Sequence, residues 1–272
     1  MALITITSSF GSGGEEIARK VSSALNVAFY DDQRLQKEAV KMGISSKELE
    51  RLDEKAPGLF DRLFSSRPAV YLDVLGSVVY DVARSGQGVI TGHGAQLFLH
   101  DFDCALHVRI HASDPSRIQR MMKDRGMDEE AAERTVRRMD RKSAAFMQYA
   151  FHRDWNDPSL YDLMVNLDKV GPEWAEKLIT DLATADEIKE CSLNALEAME
   201  KSSLQRKINA AFLDHNLNVQ GIHVEVGEGG HVRLTGWCRF EGEKESLVNA
   251  VKGVAGVSNV ASDIFIMPSS GV

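Results

Sequence analysis

The run SSFGSGGEEIARK, Ser8 to Lys20, places Gly11, Gly13 and Gly14 between a short β-branched segment and a stretch with helical spacing. In that setting a glycine-rich turn lets backbone N–H groups point at an anion, and the start of the following helix adds partial positive charge. Gly11, Ser12, Gly13, Gly14 and Glu15 are the candidate phosphate-contacting residues. Phosphate loops of this kind usually carry a lysine beside the last glycine and a hydroxyl residue after it, for the outer phosphates and Mg²⁺. Here those places hold Gly14, Glu15 and Glu16. Two carboxylates complement the helix dipole but repel a polyphosphate. The run therefore reads as a working cradle, a reduced one, or an ordinary strand-to-helix turn.

Phosphoryl transfer depends on cations around the migrating group more than on covalent chemistry. Arg134, Arg137, Arg138 and Arg141 lie on one predicted helix beside Asp140, in ERTVRRMDRKSAAF. At four-residue spacing Arg134 and Arg138 share a face, and Arg137 and Arg141 share the adjoining one. Glu129, Glu130 and Glu133 precede them, so a solvated, ion-paired helix is the alternative. Arg117, Arg120 and Arg125 belong to the preceding helix and its end, and read as surface or supporting residues. Asp31 in FYDD and His93 in GHGA close two predicted strands, and Asp32 suits a helix cap. His107, His111 and His152 lack metal-ligand spacing, so no protein-built metal site is expected. FGSGG lacks the spacing of a serine-hydrolase elbow at Ser12.

These residues need a frame. Short runs at residues 3–7, 27–30, 88–91, 105–110 and 163–167 read as buried strands. They alternate with helical spacing at 15–25, 33–42, 68–85, 115–124, 129–146 and 172–183, which implies a parallel sheet covered on both faces. Ligands of such sheets bind at the carboxyl ends of the strands, where residues 8–14, 31–32 and 92–94 fall. ADEIKECSLNALEAMEKS, residues 185–202, suits a connecting helix. Beyond it come a helix at 204–215, strands at 222–226 and 231–240 around the turn GEGG, a helix at 242–254 and a strand at 259–267. The chain thus divides into residues 1–184, a connector at 185–202 and a small αββαβ module at 203–268.

Composition narrows the function classes. With 272 residues and 43% hydrophobic content the chain has room for two cores. A net charge of −8, from 32 Lys and Arg against 40 Asp and Glu, argues against a nucleic-acid footprint or an anionic membrane surface. No apolar run reaches the roughly 20 residues a membrane span needs, and the N-terminus lacks the layout of a signal peptide. Cys104, Cys191 and Cys238 are odd in number and far apart, and read as structural thiols in a reducing compartment. A cytoplasmic protein is expected.

The first two-thirds resembles the cytidylate kinase-like family, a branch of the P-loop nucleoside monophosphate kinases. The resemblance is carried by ITITSSFGSGGEEIARKVSSALNVAFYDD, GVITGHGAQLFL, HVRIHASDPSRIQRMM and RRMDRKSAAFMQYAFHRDWNDPSLYDLMVNLD, in that order. It implies an α/β P-loop kinase fold, ATP and Mg²⁺ as cofactors, and a nucleotide acceptor. It also implies a mobile lid, with Arg138 and Arg141 closing over the phosphates and Arg134 as a weaker member. Asp31 then faces the acceptor nucleotide, and His93 stands where relatives tend to have arginine. The lysine-less GSGG loop is common in this branch, whereas Glu15 replaces a residue that is often basic. Residues 204–267 resemble a BON domain, through LQRKINAAFLDHN, VEVGEGGHVRLTGWC and EKESLVNAVKGVAGVSNVASDI. That resemblance implies protein or small-ligand contact, with an oligomer possible. Trp237 and Phe240 are expected in its core. A phosphotransferase and a weakened nucleotide- or anion-binding sensor signalling through the BON module are the two readings. A purely structural use of the fold is the third.

Overall fold

A computed structural model describes residues 2–42, 67–188 and 190–267. They form two compact units, one of Met1–Asp32 with Ser85–Leu193, the other of Gln33–Arg84 with Asn194–Val272. The first holds a five-stranded parallel sheet of β1 (Leu3–Ser8), β2 (Phe29–Tyr30), β3 (Gly88–Thr91), β4 (Ala105–His111) and β5 (Leu163–Asn166), in the order β2-β3-β1-β4-β5. Ile4 and Ile6 of β1 and Leu106, Val108 and Ile110 of β4 share one face. There they form a core with Ile17, Ala18 and Val21 of α1 (Gly14–Leu25) and with Ala175 and Ile179 of the helix Pro172–Ala183. Strand side chains alternate faces, so Thr5, Thr7, His107 and Arg109 line the other side, paired in register as Thr5 with His107 and Thr7 with Arg109. Thr5 Oγ1 lies 2.8 Å from His107 Nδ1, and burial holds the His107 pKa below its usual value.

The second unit contains α2 (Asp32–Lys41) from Gln33 onward and the nearly all-apolar helix α3 (Pro68–Ala83), followed in sequence by the short α4 (Ala95–Phe98) of the first unit. A three-stranded sheet, β6 (Ile222–Val226), β7 (His231–Cys238) and β8 (Asn259–Ile266), completes it. β6 and β7 are antiparallel and β7 and β8 parallel. Leu204, Ile208 and Phe212 close its core with Val232, Leu234, Leu247, Val251 and Ile264. The pattern at 185–202 and 204–215 is, from Leu193 to Asp214, a single helix. It is tied to α3 by Ser203 Oγ donating to the Ser77 carbonyl at 2.9 Å and by Arg206 pairing with Asp73 at 2.9 Å. Burial pushes the Asp73 carboxyl pKa up and Arg206 opposes it. Trp237 and Phe240 are 38% and 60% exposed rather than in the core: Trp237 lies on the face of β7 that the helices leave uncovered, and Phe240 lies beyond the end of β7, at the N-cap of the helix Glu241–Lys252.

No helix among the described residues is long and apolar enough to cross a membrane. The expectation of free thiols at positions 104 and 191 is overturned. Cys104 and Cys191 are joined as a disulfide, since the chain after the helix Pro172–Ala183 returns to the turn before β4. Only Cys238 is free among the described cysteines, and it is buried. The bond removes the thiol-based argument for a reducing compartment. It joins residues 87 positions apart, which in the chain-entropy account is worth about 4.6 kcal/mol. Calorimetric melting with and without dithiothreitol is expected to show a drop of several degrees on reduction. Coincident melting curves would show that the bond contributes nothing.

Candidate functional site

The glycine run leaves β1 at Ser8 and enters α1 at Gly14. Gly11 and Gly13 have φ of 79° and 91°, left-handed values that favour glycine. Ser12 N donates to Ser9 O at 3.0 Å, and Gly14 N to Ser12 Oγ at 3.3 Å, which curls the loop over its own start. A Cβ on Gly14 would lie 2.3 Å from Ser8 Cβ, so the place where such loops carry lysine is filled from beneath by Ser8. Glu15 turns along the helix to Arg19 at 2.9 Å. Glu16 pairs with Lys20 at 3.4 Å and with Arg120 at 3.0 Å. Beside the loop lies a cavity of about 580 Å³ lined by Gly11, Ser12, Ser116, Gln119, Arg120 and Lys123, among others.

Arg120, read from the sequence as a surface or supporting residue, reaches this loop. It stands on α5 (Asp114–Arg125), with Nη1 3.4 Å from the Ser12 carbonyl and its guanidinium over the space where Gly13 lacks a side chain. Arg117, one turn earlier, is buried. It donates to the Phe10 carbonyl at 3.2 Å and to Asp140 at 2.7 and 2.8 Å, pinning the loop to α6 (Glu129–Phe151). Helical phase brings both arginines to the loop, and the sequence marked that face only through the regular spacing 117, 120, 124.

α6 carries the arginines expected to form a lid and is capped by Asp128, whose side chain accepts from Ala131 N at 2.7 Å. Arg134 and Arg137 are exposed and pair with Glu130 and Glu133 of their own helix. Arg138 and Arg141 are exposed and make no ion pair among the described residues. On the other side of the sheet order, Asp31 pairs with Arg19 at 2.8 Å, which in turn stacks over Phe29. His93 has φ 55°, and its Nε2 lies 2.8 Å from Asp32, the first residue of α2. Asp31 and His93 are thus at the carboxyl ends of β2 and β3, as placed by the sequence, each with an oppositely charged or polar neighbour.

A buried polar floor runs beneath the loop. Thr7 donates to Gln96 at 3.0 Å, Gln96 stands 3.5 Å from the Tyr161 hydroxyl, and Tyr161 donates to the Trp155 carbonyl at 2.8 Å. Arg109 joins this floor, its guanidinium 4.0 Å over the Trp155 ring and bonded to Ser9 Oγ at 3.3 Å. Burial pulls its pKa below the usual arginine value, yet it remains a cation. Arg109 falls inside a run whose composition reads as a buried strand, and a charge within such an apolar run is the signal that marks it.

The sequence pattern of the cytidylate kinase-like family matches residues 3–169. The chain belongs to the cytidylate kinase-like family. The pattern of the BON domain matches residues 200–267. A protein named cytidylate kinase from Methanothrix thermoacetophila is 28% identical over 184 residues, covering 67% of this chain and 96% of that one. Among solved structures, an uncharacterized protein from Eubacterium ventriosum is 25% identical with a TM-score of 0.53, covering 67% of this chain and 97% of that one. The sheet of the first unit is therefore a P-loop kinase fold, and the second unit carries the αββαβ BON module.

Proposed function

We propose that the protein transfers a phosphoryl group from ATP to a nucleoside monophosphate, with residues 1–184 as the kinase-like part, 185–202 as connector and 203–268 as the BON part. The observation that carries this reading is Arg120 at the glycine loop, a cation at Ser12 and Gly13 where the loop lacks its lysine. Gly11, Gly13 and Glu15 offer backbone N–H groups to the phosphates, while Ser12 N and Gly14 N are bonded within the loop and shape it. Arg120 exchanges its Glu16 partner for a phosphate oxygen. Arg138 and Arg141, without carboxylate partners among the described residues, close from the lid. Arg134 must first leave Glu130. Asp31 and His93 orient the acceptor.

Mg²⁺ fits the residues present. Among the described residues no group of three or more acidic, His or Cys side chains forms a metal cage. Mg²⁺ in kinases is held mainly by substrate phosphates, water and one or two carboxylates, and Glu16 supplies one at the loop. When bound it would offset charge on the phosphates. A second reading, nucleotide or anion binding without turnover, is favoured by the Arg120–Glu16 pair, which occupies the cradle's cation. In either case the exposed Trp237, Phe240 and Phe265 support contact with a protein, a small ligand or a second copy through the BON sheet.

Arg120→Ala is expected to weaken ATP binding about tenfold, the scale of one charge-assisted hydrogen bond. Calorimetric titration with ATP and Mg²⁺ measures it, and unchanged affinity would remove Arg120 from the site. Coupled assays across the nucleoside monophosphates decide between the readings. ATP binding without turnover on any of them would leave the sensor.

A further inference from the structure

The guanidinium of Arg109 is a buried charge of the first unit that the proposed chemistry does not use. Arg109 is 2% exposed, yet its Nη1 has no hydrogen-bond partner. Its Nη2 meets only neutral acceptors, Ser9 Oγ at 3.3 Å and Asn156 Oδ1 at 3.5 Å, both at the long end for such bonds. Asp114 and Asp140 are committed to Arg117. Asp140 and Asp154 act on Arg109 only through space, and a buried cation with an idle donor and no hydrogen-bonded carboxylate among the described residues is costly unless a counter-charge arrives. Stacking on Trp155 fixes the plane of the fork, and a guanidinium fork suits the oxygens of a phosphate.

We propose that Arg109 is a receptor for a phosphate-type oxyanion beneath the glycine loop, its Nη1 taking one oxygen while Nη2 keeps Ser9. The proposal rests on the phosphate-loop reading above. Asn156 is exposed, its backbone N–H bonded to Asp154 at 2.9 Å and its side chain reaching Arg109 at 3.5 Å, so that side chain is the cover that the anion displaces. Arg109 at Ser9 and Arg120 at Ser12 then hold the loop's ligand from its two ends. The oxyanion is a nucleotide phosphate or inorganic phosphate, the same chemistry from two sources.

The test titrates the full chain with inorganic phosphate and, separately, with ATP by calorimetry, beside thermal melting without ligand. Arg109→Met keeps the stem over Trp155 and removes the charge. It is expected to lose at least about tenfold in oxyanion affinity while melting at the same temperature as the parent or higher, because an uncompensated buried charge is gone. Lower melting with unchanged affinity would make Arg109 a structural residue and overturn the proposal. Arg109→Lys covers the case in which the Met variant does not fold. One ammonium cannot replace the fork, so weaker binding is expected, and wild-type affinity overturns the proposal. Asn156→Ala is expected to bind at least as tightly as the parent; weaker binding would make Asn156 the ligand group instead. Loss for ATP alone places a nucleotide phosphate on Arg109, and loss for both ligands extends the site to free phosphate. No binding of either ligand by the parent overturns it. Turnover enters neither measurement. Arg109-dependent binding by an inactive protein sinks the phosphotransfer reading alone, and Arg109-independent binding by an active one sinks this proposal alone.

Discussion

Gly14→Lys is expected to lower the melting temperature and leave ATP binding no better than in the parent, whereas Ser8→Gly combined with Gly14→Lys recovers stability and tightens ATP. The reason is steric. A Cβ at position 14 would sit 2.3 Å from Ser8 Cβ and 2.9 Å from its Oγ, and a Cβ cannot rotate away as the tip of a long side chain can. Overpacking of this kind costs roughly 1–3 kcal/mol, or several degrees at about 2–4 °C per kcal/mol for a domain of this size. Removing the Ser8 side chain clears the space from which a lysine stem would start. Ser8 and Gly14 thus act as one steric unit at this loop. Thermal melting and ATP titration of the single and double variants check it. A single lysine variant as stable as the parent would show that the loop simply shifts.

The largest kinetic effect is expected from Arg138→Ala together with Arg141→Ala. Both side chains are exposed on α6 and free of ion pairs among the described residues, so stability should stay within about 0.5 kcal/mol of the parent. Arginines that close on a transferring phosphoryl group are worth ~10³-fold or more in rate. Turnover with the best acceptor should fall on that scale, with ATP affinity in the closed complex falling less. Arg134→Ala, already paired with Glu130, should lose less than the double variant. Equal turnover in parent and double variant would take the lid arginines out of the mechanism.

What could be read without coordinates follows from the range of the interactions. The strands and helices around the glycine loop are set by local periodicity, and Pro172–Ala183 and Ile222–Val226 fall where their spacing puts them. The loop itself is local too, since strand, glycines and helix are contiguous. Arg120 and Arg109 are not, because their partners Ser12 and Ser9 lie about a hundred positions away and are reached only through the β1–β4 pairing. The disulfide was hidden for the same reason: Cys104 and Cys191 meet only after the sheet has closed. Trp237 shows the period of its strand but not which face will be covered, and Phe240 continues that period past Cys238, where the strand has already ended.

The joint between α3 and the helix Leu193–Asp214 bears on whether the two matched segments can be parted. Asp73 and Ser77 stand within the residues matched by the cytidylate kinase-like pattern, and Ser203 and Arg206 within those matched by the BON pattern. Asp73 is 8% exposed and Ser203 is 1% exposed, and each finds its partner across that joint. Cutting the chain before Leu193 would remove Arg206 and Ser203 together with part of the surface that buries Asp73, so the carboxylate would return to water while the apolar helix around it lost a neighbour. The helix that carries Asp73 is thus counted with one matched segment in sequence and with the other in space.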